Sequence, residues 1–254
     1  MIGLILAAGA GTRLNGSDAL LPKCLATFDG TPLIELQMRS LRACGIHDIG
    51  VVVGFQADRV RRACGPDVRF LENNVYAETN SLYSLWLARP LLENGFVVLN
   101  CDVLFHPAML SDLLTARHDD ALLVAYPEPG QPPFTDEEMK VCVRRGRVAD
   151  MRKDLPAGET DGENVGIVKF SASSVGRLIS HLDRNVELRG RRDWAPRAFA
   201  DFAGEQPLYA VSTRGLPWIE IDTPEDYRRA TSEVYPAIRD AVAEMAPALR
   251  WRAS

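Results

Sequence analysis

Apolar residues in the first half of the chain gather in short runs at residues 2–6, 48–53, 68–71 and 96–100. Between those runs, apolar positions recur every three or four residues, as on one face of a helix. Short strands alternating with amphipathic helices specify a mostly parallel sheet covered on both faces, so the pattern predicts a doubly wound α/β fold. A helix is expected over 31–44, with Thr31 as N-cap, Pro32 in the first turn and Gly45 as its stop. Further helices are expected over 57–64, from an Asn80 cap toward Leu92, and over 107–116, followed by a strand at 121–126.

Beyond residue 126 the pattern changes. Residues 127–138 are polar, proline-rich and acidic, which suits a flexible loop or lid. Runs at 139–143 and 147–151 flank Arg144-Arg145-Gly146 and suit a hairpin. Strands are expected at 165–170, 208–211 and 218–221, and Thr223-Pro224-Glu225-Asp226 starts a last helix that Pro236 kinks or breaks. The pairs Arg61-Arg62 and Arg191-Arg192 read as solvated helix faces. The expected organisation is one elaborated domain over 1–254, with halves at 1–126 and 127–254.

Composition narrows the function classes. With 254 residues and 46% hydrophobic content, the chain can bury a substantial core. Its net charge of -5 gives no global attraction for nucleic acid or an anionic membrane, so an anionic substrate needs locally placed cations. Five cysteines lie far apart without a CxxC pair, and read as buried thiols in a reducing compartment. The apolar stretch at 2–6 is too short for a signal peptide or membrane span, and the expected location is the cytoplasm.

Directly after the first strand comes Ala7-Ala8-Gly9-Ala10-Gly11-Thr12-Arg13-Leu14, whose small residues let backbone amides approach an anion closely. Neither the dinucleotide GxGxxG spacing nor the P-loop spacing is present. Arg13 and, ten residues later, Lys23 after Pro22 supply two cations for a polyphosphate. Asp102 follows the strand at 96–100, at the edge where open sheets bind ligands. Asp222 follows the strand at 218–221, with Glu220 two residues before it on the same face. A hard dication such as Mg2+ takes one or two carboxylates plus substrate phosphates, which suits Asp102 and Asp222. The alternative is that Asp102 caps a turn and Asp222 caps the following helix. Glu220 is left between metal and acceptor.

LAAGAGTRL followed by PKCL resembles the signature of the nucleoside-triphosphate transferases that activate sugar phosphates and phosphocholine. The resemblance continues through Gly30-Thr31-Pro32-Leu33-Ile34, Val53-Gly54-Phe55, NVYAETNSLYSLWL and Glu220-Ile221-Asp222-Thr223-Pro224. It is greatest for bacterial phosphocholine cytidylyltransferases and the CTP-dependent enzymes for phosphonates and polyol phosphates. The family implies a Rossmann-like domain with inserted acceptor-binding strands, Asp102 and Asp222 as metal carboxylates, and Asn80 and Ser81 near the cytosine of CTP. A helix cap is the other reading of Asn80. Cys101 stands where many relatives have glycine, and no chemistry is assigned to it.

The reaction expected is attack of an acceptor phosphate oxygen on the α-phosphorus, with release of pyrophosphate. Lys23 would stabilise the crowded phosphorus, while Arg13 and the amides of Ala10, Gly11 and Thr12 would hold pyrophosphate. The backbone of Leu6, Ala7, Ala8 and Gly9 would meet ribose and base. Lys140, Lys153 and Lys169 are candidates for the acceptor phosphate, and Glu163, Asn164 and Glu220 for its amine or hydroxyls. Tyr126, Trp194 and Trp218 are candidate rings for a cationic tail. Where related choline enzymes carry an aromatic residue, residues 137–139 are acidic and aliphatic, which speaks for a phosphonate or hydroxylated acceptor. Two alternatives stand beside this: a sugar-1-phosphate or polyol-phosphate nucleotidyltransferase, and a nucleotide-binding regulatory module without catalysis.

Overall fold

The computed structural model describes residues 1–11, 21–128, 130, 134–188 and 190–250, the last eight of these by backbone only. In chain order the first half contains β1 (Ile2–Ala7), a small hairpin of β2 (Thr27–Phe28) and β3 (Thr31–Pro32), α1 (Leu33–Ala43), β4 (Ile49–Val53), α2 (Ala57–Cys64), β5 (Arg69–Glu72), α3 (Ser81–Leu87), β6 (Phe96–Asn100), β7 (Val103–Phe105), α4 (Pro107–Thr115) and β8 (Ala121–Ala125). The second half contains β9 (Lys140–Arg144), β10 (Arg147–Arg152), β11 (Gly162–Phe170), α5 (Ala172–Leu188), α6 (Pro196–Glu205), β12 (Tyr209–Ser212), β13 (Trp218–Glu220), α7 (Pro224–Arg229) and α8 (Tyr235–Arg250).

Nine strands form one sheet in the order β5-β4-β1-β6-β11-β8-β12-β10-β9. The first four run parallel, as the strand–helix alternation requires, because each crossover helix returns the chain to the same edge. At β11 the direction reverses: it lies antiparallel between β6 and β8, and its start also pairs with β9. Residues from both halves of the chain therefore share one sheet.

The pleat separates two cores. Ile2, Leu4 and Leu6 of β1 pack with α3, α5 and α6 through Leu82, Leu85, Leu178 and Phe202. Ile5 and Ala7 pack on the opposite face with Ile34, Met38, Val60 and Leu110 of α1, α2 and α4. Successive residues of one strand serve opposite layers, which is the geometry of a doubly wound sheet. A third, smaller cluster joins Phe28, Leu33, Leu104, Ile219 and Ile221 to Ala230, Val234 and Ile238.

Local chemistry differs from expectation at several points. Thr31 belongs to β3, and the N-cap position of α1 is Pro32, with Leu33 N–H bonded to the Ala26 carbonyl at 2.8 Å. Pro236 does not end the last helix. It stands second in α8, directly after a π-helical turn at Ala230–Val234, whose wider bore accommodates a ring that would crowd a regular turn. Arg191 and Arg192 lie in the connection between α5 and α6, whereas Arg61 is on a helix face, paired with Asp58 and Glu72. Strand β7 and helices α5 and α6 were not among the expected elements. Residues 129 and 131–133 of the proline-rich segment lie outside the described residues. All five cysteines are free; Cys24, Cys64 and Cys142 are buried, Cys44 and Cys101 half-buried. Among the described residues, no helix is long and apolar enough to cross a membrane.

Candidate active site

Lys23 lies in a single 3-10 turn, Lys23–Leu25, anchored by the buried Cys24 and Leu25. Its ammonium donates to Asp102 Oδ2 at 3.0 Å and, in a shorter contact, to Asp222 Oδ1. Asp102 and Asp222 are 120 residues apart in sequence, and a two-stranded ribbon outside the main sheet brings them together. In that ribbon β7 pairs antiparallel with β13, setting Glu220 opposite Val103, and Ile221 N–H bonds the Asp102 carbonyl at 2.9 Å. Gln37, fully buried on α1, clamps the same loop by donating to the carbonyls of Asn100 at 2.8 Å and Val103 at 2.9 Å.

Asp222 does not cap α7. Thr223 does so, in a reciprocal box with Asp226, whose carboxylate also accepts from Asp222 N–H at 3.1 Å. The capping box thus fixes the backbone of Asp222 while its side chain turns to Lys23.

Carboxylate oxygens of Asp102, Glu220 and Asp222 all lie within 4.8 Å of one another. Such crowding of negative charge is costly without a cation. Burial, reinforced by the charges of Asp102 and Asp222, pushes the Glu220 carboxyl up to about 8. Burial alone would discharge Lys23, but Asp102 and Asp222 outweigh it and hold the ammonium above its ordinary value. This excess of hard oxygen ligands at one point fits a divalent metal. Cys101, half-buried, has its thiol pushed well above the usual range by its hydrogen bond to Cys24 and by desolvation, so it offers no nucleophile here.

The cluster sits in a cleft of about 420 Å³. On one side run Leu6, Ala8, Gly9 and Gly11. Gly11 has φ +59°, and a Cβ there would stand 2.7 Å from Lys23 Cγ, so only glycine lets the lysine pass. Gly54 is equally confined: a Cβ would meet the Ala8 carbonyl oxygen at 2.7 Å. Ala7 faces the α1–α2 core, and neither it nor Ala10 lines the cleft. Thr12 and Arg13 lie outside the described residues.

A polar shelf continues this side through Asn73, Tyr76, Thr79, Asn80, Ser81 and Ser84. Asn73 is buried and donates to Thr79 Oγ1 at 2.9 Å and Ser84 Oγ at 3.2 Å. Asn80 caps α3 through Oδ1, which accepts from Ser81 N–H at 2.8 Å. The two readings of Asn80 are therefore compatible: the carbonyl caps while the residue lines the cleft.

The rest of the lining is formed by Glu137, Met139, Lys153, Asn164, Trp194 and Pro196, with Glu220 beside Asp222. Lys153 Nζ stands 5.3 Å from the Trp194 ring centroid and 3.9 Å from Glu137 Oε2. Asn164 begins a bulge in β11: its Oδ1 accepts from Gly166 N–H at 3.0 Å, and Gly166 has φ +81°. A Cβ on Gly166 would collide with Asn100 Nδ2 at 2.6 Å, so the bulge makes room for a cleft-lining amide. Glu163, next to Asn164, is raised to about 7 by burial and by Glu138, against the opposing Lys153. Lys140 and Glu163 are outside the lining, with Lys140 3.5 Å from Asp136. Lys169 reaches the Ala116 carbonyl at 3.4 Å, Tyr126 is exposed, and Trp218 packs against the α1–α4 core.

Sequence reasoning missed Gln37, Asn73, Tyr76, Ser84, Asn100 and Gly166. Asn100 had a signal, a polar residue ending a buried strand at the sheet's ligand edge. The others acquire their roles only through tertiary contacts.

Comparison with known proteins places the chain in a family. The model of the MobA-like NTP transferase domain matches residues 3–214, ending just before Glu220 and Asp222. The chain is 33% identical over 232 residues to the bifunctional IPC transferase and DIPP synthase of Rubrobacter xylanophilus, covering 88% of this chain and 50% of that protein. It thus spans half the length of that relative. It is 30% identical over 233 residues to choline-phosphate cytidylyltransferase of Streptococcus pneumoniae, covering 90% of this chain and 96% of that one. A solved structure of a CTP:phosphocholine cytidylyltransferase from Streptococcus pneumoniae, 27% identical, superposes with a TM-score of 0.71 over 91% of this chain and 97% of that one. The chain belongs to the MobA-like NTP transferase family and is a nucleotidyltransferase of the Rossmann-like α/β kind, with cytidylyltransferases among its relatives.

Proposed function

We propose that the protein transfers CMP from CTP to a small phosphorylated or phosphonate acceptor in the cytoplasm, releasing pyrophosphate. The observation that carries this reading is the Lys23 ammonium between Asp102 and Asp222, in one cleft lined by both the glycine turn and Trp194. An acceptor oxygen forms a bond to the α-phosphorus as the bond to the bridging oxygen breaks, and pyrophosphate leaves with that electron pair. Asp102 and Asp222, with Glu220 beside them, would hold Mg2+, which supplies a hard positive charge against the polyphosphate.

The chain's own residues do the rest by position and charge. Lys23 faces the phosphorus where negative charge builds, and a held ammonium there lowers the barrier without moving a proton. Amides of the Gly9–Gly11 turn meet the phosphates, with Arg13 assigned to the departing pyrophosphate. Asn80 and Ser81 face the base, and Lys153 and Asn164 the acceptor. Free thiols suit a reducing compartment.

The test is pyrophosphate release from CTP, UTP, GTP and dTTP, each offered with phosphocholine, 2-aminoethylphosphonate and an inositol phosphate. We expect CTP to lead UTP by roughly a hundredfold, since a site built for cytosine's amino group leaves buried polar groups unpaired against uracil. Nucleotide binding with no release from any acceptor would establish a regulatory module instead. A polyol phosphate is the second acceptor reading, favoured by the lysine that already faces Trp194.

A further inference from the structure

The connection between α5 and α6 carries Trp194, and its hydrogen bonds run to the shelf. Asn80 N–H donates to the Arg191 carbonyl at 2.9 Å and Leu82 N–H to the Asp193 carbonyl at 3.2 Å. Arg192 Nε reaches the Glu78 carbonyl at 3.4 Å, and Ala195 N–H donates to Ser81 Oγ at 2.9 Å. The Arg191 guanidinium stands 5.0 Å from the Tyr83 ring centroid. The first amides of a helix lack intrahelical acceptors. In α3, Asn80 Oδ1 takes the Ser81 amide and the connection takes the next one, so the connection completes the cap of the helix that carries the shelf.

Ser81 is the one shelf side chain in this set of contacts. Its hydroxyl lines the cleft and holds Ala195, whose chain neighbour is Trp194. We propose that Ser81 is a positioning residue that couples the two substrate sites: ordering of the α3 turn by a nucleotide passes through the Ser81–Ala195 hydrogen bond to residues 190–195 and sets Trp194 for the acceptor. The idea rests on the assignment of the shelf to the nucleotide and of Trp194 to the acceptor. A segment ordered by the first ligand need not be ordered again by the second, which makes the coupling favourable, and linkage makes it reciprocal.

The test uses α,β-methylene-CTP with magnesium, because a methylene bridge cannot be broken in the transfer. Hydrogen–deuterium exchange is read at residues 190–195, and nucleotide affinity is measured separately by calorimetry. In the unaltered chain, nucleotide should slow exchange in this segment by about fivefold or more, the lower end of ordinary coupling factors. Ser81→Ala should abolish the nucleotide-induced difference, and Ser81→Thr, which keeps the hydroxyl, should restore it; a bond that only holds the segment would change exchange equally with and without nucleotide. If the nucleotide binds but exchange at 190–195 stays unchanged, or if Ser81→Ala keeps full protection, the coupling is overturned while the assignment of the cleft stands. If neither α,β-methylene-CTP nor CTP binds, the assignment itself fails and the coupling with it.

Discussion

Asparagine in place of Asp102 or Asp222 preserves the size of the side chain and removes its charge, so each variant isolates what that charge does. A neutral amide is a poor ligand for a hard dication and a weaker partner for Lys23, and each variant should lose turnover by about a hundredfold or more. Near-native turnover at limiting magnesium would remove that carboxylate from the metal site. Lys23→Ala should lower kcat far more than it raises the KM for CTP, since its charge counts most when charge builds at phosphorus; equal effects on both would make it a ground-state anchor.

Lys153 makes a different kind of test. Its ammonium faces Trp194, where a cationic acceptor tail would need the ring. Cation–π attraction is worth about 0.5 to 2 kcal/mol. Lys153→Met should therefore raise phosphocholine over inositol phosphate in kcat/KM by roughly tenfold, whereas an unchanged ratio would show that the ring is not the tail's site. Lys23, Asp102 and Asp222 were legible because each stands beside a local marker, a glycine turn or the end of an apolar run. Asn73 and Ser84 were not, because a polar residue near a strand or helix end reads as solvated until its buried partner is known.

Gln37 shows the same limit for whole elements. On a helix whose other face is polar, a glutamine carries no signal, yet it holds the loop between β6 and β7 by two hydrogen bonds. Gln37→Met would leave the buried carbonyls of Asn100 and Val103 without that donor, at a cost of about 1–3 kcal/mol. At this chain length that is a fall of several degrees in Tm. Turnover should fall further than stability explains, because the loop carries Asp102; a lower Tm with unchanged kcat would make the clamp purely structural. The parallel strands and the exact span of α2 were legible from apolar runs and helical spacing. Strand β7 was hidden because it begins one residue after Asp102 and has only three residues. Helix α5 has Val175, Leu178 and Leu182 at helical spacing, but its many polar residues dilute the pattern.

For the molecule as a whole, acidity should act through Glu220, raised to about 8, and through Glu163, which lies outside the carboxylate cluster. The folded chain keeps the Glu163 proton up to about 7, whereas an ordinary glutamate releases it near 4.5. Between those values the folded state binds more protons than the unfolded one, so this contribution to stability is complete below 4.5 and lost as pH rises through 7. Glu163→Gln should reduce the slope of Tm against pH across that window and leave the part due to Glu220; an unaltered slope would show that Glu163 contributes nothing to it. The net charge of -5 adds no steering for anions, which under the proposed function leaves their capture to Arg13, Lys23, Lys153 and the glycine turn.

The ribbon of β7 and β13 also orders events in time. Chains emerge from the ribosome N-terminus first, and the parallel strands with their glycine turn can begin to associate while the second half is still being made. Asp102 is then present without Asp222, and Lys23 has only one of its two carboxylates. Under the proposed function, the first half alone carries the glycine turn and part of the metal site, and both halves must be folded together before the chain can act.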